Sequence, residues 1–157
     1  LRNKAIGYAE VDNGQFDSMY QTGYAHGAAL LIKKTVIEKI GLMPEIFFLY
    51  YEELDWCTKA LENNYEIWYS GSATIYHKES QSTGEASPLK TYYMTRNRLL
   101  YAWRHKEGLL KWVSLLYLII VVSLRDSLKF LLSRKYHLIK ATWVGIIDFI
   151  KLPHKLS

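Results

Sequence analysis

Three carboxylates stand within four residues, Glu52, Glu53 and Asp55, in the stretch FFLYYEELDWCTKALENN (residues 47–64). Acids at the start of a helix can stabilise the unpaired amides and dipole of its first turn. One of them can instead be held inward, where a carboxylate serves as a general base. A wheel at about 100° per residue separates the three. With Glu52 as origin, Trp56, Ala60, Cys57, Leu61 and Leu54 fall in an apolar arc between roughly 40° and 200°. Glu52, Asp55, Lys59 and Glu62 fall outside it, and Glu53 lies near 100°, among the apolar side chains. For an inward carboxyl at a helix N-terminus, burial and the helix dipole act in opposite directions on proton affinity. The competing reading is that residues 52–53 precede the first full turn and simply cap it.

The elements that must position these acids are legible in outline. Asp12-Asn13-Gly14 is a turn signal, and Ala28–Lys33 reads as a short buried strand. Thr35-Val36-Ile37-Glu38 has the capping-box pattern, and Gly41 sits where a helix would stop, which predicts a short helix over 35–40. Pro44 opens a loop carrying Phe47, Phe48, Tyr50 and Tyr51, and the helix of interest covers about 52–63. Tyr65–Tyr69 and Ala73–His77 read as strands around the turn Ser70-Gly71-Ser72. Lys78–Ser87 reads as a mobile polar loop. Ser87-Pro88 then has the form of an N-cap with proline at the first helical position, and helices are predicted over 88–107, 109–133 and 136–151, with Gly108 as divider. Strands and helices followed by helices alone predict an α/β sheet domain over residues 1–87 and a helical region over 88–157.

Charge divides at nearly the same place. Residues 1–91 hold 8 Lys/Arg against 12 Asp/Glu, and residues 92–157 hold 12 against 3, so a chain of net charge +5 has an acidic first part and a basic second part. Half of the 157 residues are hydrophobic, which excludes a disordered chain and allows one real core. The single cysteine, Cys57, permits no internal disulfide and fits a reducing compartment. The chain begins at Leu1 with no signal-peptide pattern behind it, as expected of a piece of something longer.

Residues 23–84, GYAHGAALLIKKTVIEKIGLMPEIFFLYYEELDWCTKALENNYEIWYSGSATIYHKESQSTG, resemble the acceptor-side half of a family 2 glycosyltransferase of the bacterial rhamnosyltransferase-like kind. The shared pattern is a glycine-rich strand entry, a short helix ending in glycine, and an aromatic run into Glu-Asp-x-Asp. A helix, a strand pair and a His follow. GYAEVDNGQFD and YYMTRNRLLY extend the likeness over most of residues 1–107. The resemblance implies a partial GT-A fold, a nucleotide-sugar donor and an inverting displacement on a saccharide or lipid-linked acceptor, in the synthesis of cell-surface polysaccharide. It assigns the catalytic base to Glu53, where the family has Asp, with Glu52 and Asp55 as the flanking acids. Gly27, Ala28, Ala29, Tyr51, Trp56 and Arg96 become candidate substrate-binding residues, with a buried strand and an ordinary solvated helix face as the plainer alternatives for Gly27–Ala29 and for Arg96-Asn97. His77 becomes a candidate ligand of a divalent metal, Mg or Mn, or of the donor diphosphate. A structural role is its plainer alternative. No Asp-x-Asp precedes Gly23, so the main metal ligands and the donor site are expected in a segment before Leu1, and this chain alone is expected to be inactive.

The second half raises the question of a membrane. Trp112–Leu124 carries no charge, but thirteen residues rise only about 20 Å as a helix against a hydrocarbon core of about 30 Å. With Lys111, Arg125, Lys140, Lys151 and Lys155 around Trp112 and Trp143, these helices suit the surface of an anionic bilayer. That implies a cytoplasmic protein held peripherally on the inner face of the plasma membrane. The alternative is a bundle packing on itself or on a second copy. A nucleic-acid partner is not expected, since no reading motif accompanies the charge. The function competing with an enzyme is a non-catalytic, membrane-associated interaction module derived from a glycosyltransferase.

Overall fold

The computed structural model describes residues 6–7, 9–77 and 87–152. Their elements are β1 (Tyr20–Thr22), α1 (Lys34–Ile40), α2 (Glu52–Glu62), β2 (Ile67–Tyr69), α3 (Pro88–His105), α4 (Gly108–Leu116), α5 (Ser123–Leu132) and α6 (Tyr136–Lys151). A π-helical segment, Tyr117–Val122, joins α4 to α5, and 3₁₀ turns cover Gly27–Ala29 and Glu45–Phe47. Among the described residues the sheet is one antiparallel ladder, β1 on β2, with Tyr20 opposite Tyr69 and their rings stacked at 4.8 Å.

Helices follow their local signals closely. Ser87 caps α3, its hydroxyl accepting from the Lys90 amide at 3.1 Å, with Pro88 next. Gly41 closes α1 at φ 82°, although the cap of that helix is Lys33 and the Thr35…Glu38 box does not form. The Asp12 carboxylate accepts from the Gly14 amide at 2.9 Å in the expected turn. Strands follow less well. Ala28–Lys33 is a 3₁₀ turn and irregular chain with Leu31 98% exposed, and Ala73–His77 has no ladder partner. Neither segment finds a neighbouring strand among the described residues, so tertiary pairing decides against both. Most of the expected loop, residues 78–86, lies outside the described residues.

Two cores hold the chain together. Val36, Ile40, Trp56 and Ala60 seat α1 against α2. Phe47, Leu99, Leu100, Leu115, Ile146 and Phe149 join the aromatic loop to α3, α4 and α6. The α3–α6 contact is close because Gly145 has no side chain: a Cβ there would lie 2.8 Å from the Tyr92 carbonyl oxygen. Beside it, the Tyr92 hydroxyl donates to Asp148 at 3.0 Å. Packing energy and a satisfied polar pair therefore fix the same crossing.

Candidate active site

The loop before α2 sets the direction of its first turn. Phe48, Tyr50 and Tyr51 all have positive φ, at 59°, 66° and 76°. Such backbone costs about 1–2 kcal/mol per L-residue and needs support. Asn97 and Arg96 supply it. The fully buried Asn97 amide lies 2.8 Å from the carbonyls of Phe47, Leu49 and Tyr50. Arg96 donates to the Ile46 and Phe47 carbonyls at 2.6 and 3.0 Å, and its guanidinium packs over Tyr93. Arg96 thus faces the loop and is not among the residues lining the cleft, unlike the substrate-binding place the resemblance implied for it. Neither Arg96 nor Asn97 lies on a solvated face: the loop's turned-in carbonyls take their donors.

α2 presents its acids in different directions. Glu53 reaches the segment after β1. Its Oε1 accepts from the Gly27 amide at 3.0 Å and its Oε2 accepts from the Tyr24 hydroxyl. A Cβ on residue 27 would lie 2.3 Å from that Oε1 and 3.1 Å from Cγ, so the carboxylate occupies the space a side chain would take. One turn on, Cys57 Sγ lies 3.4 Å from the Ala25 amide and stitches the same segment to α2. Gly27 leaves room for the Glu53 carboxylate, and Ala28 and Ala29 are exposed in the 3₁₀ turn, so these residues do not form the buried strand that was the plainer alternative.

Asp55 turns the other way and is fully buried. Its Oδ1 accepts from Arg104 Nε at 2.7 Å and bonds His105 Nε2 at 2.8 Å, while Arg104 Nη2 reaches Oδ2 at 3.3 Å. His105 Nδ1 lies 3.1 Å from Glu62. Burial alone would push the imidazole down, but the bonds to Asp55 and Glu62 outweigh it and hold His105 above its ordinary value. The wheel put Asp55 on a polar, solvated face. α3 covers that face with a guanidinium and an imidazole, so Asp55 is a structural anchor and does not line the cleft. Trp56 is corrected likewise: it is a core residue whose indole donates to the Gly41 carbonyl at 2.9 Å.

Glu52, Glu53, Tyr24, His26, Tyr50, Tyr51, His77, Lys90, Arg98 and Lys106 line a cleft of about 1040 Å³, whose far wall is Val113, Tyr117, Leu118 and Val122. The hydroxyl of the left-handed Tyr51 accepts from Arg98 Nε at 3.2 Å. Glu52 Oε2 is buried with no hydrogen-bond partner. Burial pushes its carboxyl up; a bond from its own amide opposes this, and the neighbouring Glu53 charge adds to it. Tyr24 is pushed far above the ordinary phenol value, first by burial and then by its bond to Glu53, so it acts only as a neutral donor.

Over 98 residues the chain is 31% identical to the low-salt glycan biosynthesis hexosyltransferase Agl10 of Haloferax volcanii. This relates the chain to a glycosyltransferase. The matched residues are 62% of this chain and 32% of that protein, so the chain spans about a third of the length of its relative. No family model matches the chain, and no solved structure does.

His77 and His26 stand at the cleft with ring centroids 5.9 Å apart. Among the described residues no three His, Cys, Asp or Glu side chains come together. Tyr24, His26, Arg98 and Lys106 went unnoticed in the sequence. Tyr24 carried a local signal, three residues ahead of the glycine that meets Glu53. Arg98 and Lys106 carried none, because only the packing of α3 beside α2 brings them to the cleft.

Proposed function

We propose that this chain is the acceptor-side part of an inverting glycosyltransferase of family 2 with a GT-A fold, acting on a nucleotide-sugar donor and a saccharide or lipid-linked acceptor. The observation that carries the reading is the Glu53 carboxylate, held at the cleft by two neutral donors and, among the described residues, by no cation. As the acceptor oxygen bonds the anomeric carbon from one face, the bond to the donor phosphate breaks on the other. The nucleoside diphosphate leaves with the electron pair, and Glu53 takes the acceptor proton. Neutral donors leave the carboxylate its charge and free lone pairs, which a base requires. Relationship to a hexosyltransferase and the Glu-Glu-x-Asp motif support the assignment. A divalent cation, Mg or Mn, belongs to the reading through ligands other than those described here, and the step above does not depend on its geometry. In the complete protein, Glu53→Gln should lower turnover by roughly 10²–10⁴-fold while donor binding stays within about twofold. Retained turnover would remove Glu53 from the role.

A second reading concerns the place of work. Trp112, Leu116, Ile120, Leu124 and Leu128 recur every four residues along α4, the π-segment and α5, and each is more than half exposed. No helix among the described residues is long and apolar enough to cross a membrane. A basic, amphipathic, Trp-bearing rod of this kind fits peripheral attachment to an anionic bilayer, as would the interaction-module alternative. Flotation with liposomes of phosphatidylglycerol and phosphatidylcholine tests it. Protein that stays in the soluble fraction at low salt rules out the attachment.

A further inference from the structure

The cleft contains one side chain with a defined bond to the proposed base and no assigned role. Tyr24 comes from the segment after β1 and Glu53 from the first turn of α2, and the two meet over 29 residues of sequence. Tyr24 holds Oε2 and the Gly27 amide holds Oε1. Each oxygen of the carboxylate therefore keeps one fixed donor, and both donors belong to the same short segment. A carboxylate has about four acceptor positions, so two remain for other partners.

This clamp matters because residue 53 is Glu. An extra methylene adds a rotatable bond, and a longer side chain delivers its carboxylate to a defined point only if something holds its end. We propose that Tyr24 is a positioning residue for Glu53: with the Gly27 amide it fixes the plane of the longer carboxylate and turns its unused acceptor positions toward the cleft. The inference rests on the reading of Glu53 as the base. It adds a requirement that reading does not contain, namely that a phenol 29 residues away sets the rate without binding either substrate. Other groups stand nearby, Glu52 and Cys57 on α2 and His26 on Tyr24's own segment, but none of them bonds the carboxylate.

The test is a double-mutant cycle in the complete protein. Tyr24→Phe should lower kcat by about 10- to 100-fold, the range for a misaimed catalytic group, with KM for donor and acceptor within about threefold. Glu53→Asp withdraws the carboxylate from the phenol, so adding Tyr24→Phe to that variant should cost little more. Equal losses in both backgrounds, a change confined to KM, or an unaltered kcat would each overturn the positioning role. Titration of a ¹³C-labelled Tyr24 ring separates the two levels of argument. The phenol should titrate above the ordinary tyrosine range and return toward it in Glu53→Gln. If Glu53→Gln keeps its turnover while the phenol still responds, the base reading fails and the clamp is only a structural contact. If Glu53→Gln is inactive but the cycle is additive, the base stands and the positioning role falls.

Discussion

Two carboxylates two residues apart on one helix, Glu53 and Asp55, live in opposite surroundings. Glu53 borders a cleft and is held by a phenol and a backbone amide. Asp55 is fully buried and held by a guanidinium and an imidazole. Neutral donors orient an acid without compensating its charge, whereas cations compensate it and lock it in place. The first arrangement leaves a group able to take a proton. The second ties α2 to α3 and leaves nothing to react. Motif position alone does not tell such neighbours apart; the chemistry of their partners does.

Reciprocal substitutions break this contrast most directly. Glu53→Gln should abolish most turnover yet leave stability to urea within about 1 kcal/mol, since the site borders solvent. Asp55→Asn should do the reverse first. It leaves Arg104 and His105 without their counter-charge and should cost about 3 kcal/mol in urea unfolding. If both variants lose the same stability, or if Asp55→Asn is stable and inactive, the division of labour is wrong.

Gly27→Ala sharpens the comparison with a smaller expected effect. A methyl group 2.3 Å from Oε1 cannot coexist with the present carboxylate position. The flexible end of Glu53 can swing away, so the fold should lose no more than about 1 kcal/mol while turnover falls about 10²-fold through misplacement of the base. A fully active Gly27→Ala would show that the Glu53 position seen here is not the working one.

The buried side of the comparison has its own pH dependence. His105 binds its proton more tightly folded than unfolded, so its contribution to stability is fully present below about pH 6.5 and is lost as pH rises through the higher folded value. Urea midpoints measured from pH 6 to pH 9 should therefore fall, and Asp55→Asn should flatten that slope. A wild-type slope that survives Asp55→Asn would mean that another group governs it.

How far these surroundings could be read in advance differs between the two acids. The wheel put Glu53 among the apolar residues of α2, where it is half-buried and meets the segment after β1, but it put Glu52 on the polar side although both acids line the cleft. It misjudged Asp55 because the cations opposite come from residues 104 and 105, about fifty positions away, and no local pattern announces them. The same limit explains Arg96 and Asn97, which answer carbonyls exposed by three left-handed residues in a loop. Local signals were legible at Ser87, Pro88 and Gly41, which stand where expected, but not at Thr35…Glu38, whose capping box does not form. The strands over 28–33 and 73–77 were not, since a strand needs a partner and only Tyr20–Thr22 with Ile67–Tyr69 form a pair among the described residues.

Glu52 offers the smallest test and the finest. It lines the same cleft as Glu53, but its buried Oε2 has no donor among the described residues. Its carboxyl is pushed above the ordinary value by burial, opposed by its own amide and reinforced by the adjacent Glu53 charge. Because the folded state holds this proton more tightly, the group favours the fold at low pH and loses that contribution as pH climbs from the unfolded carboxyl value through the folded one. Ionised Glu52 is thus a small burden at neutral pH. Glu52→Gln should make the protein slightly more stable at pH 7, by no more than about 0.5 kcal/mol after solvent screening, with the gain vanishing near pH 4. If instead Glu52→Gln destabilises at pH 7 and matches Glu53→Gln in lost turnover, then an acid with one unpartnered oxygen is as necessary as one clamped at both, and a neutral donor on each oxygen is not what marks the base.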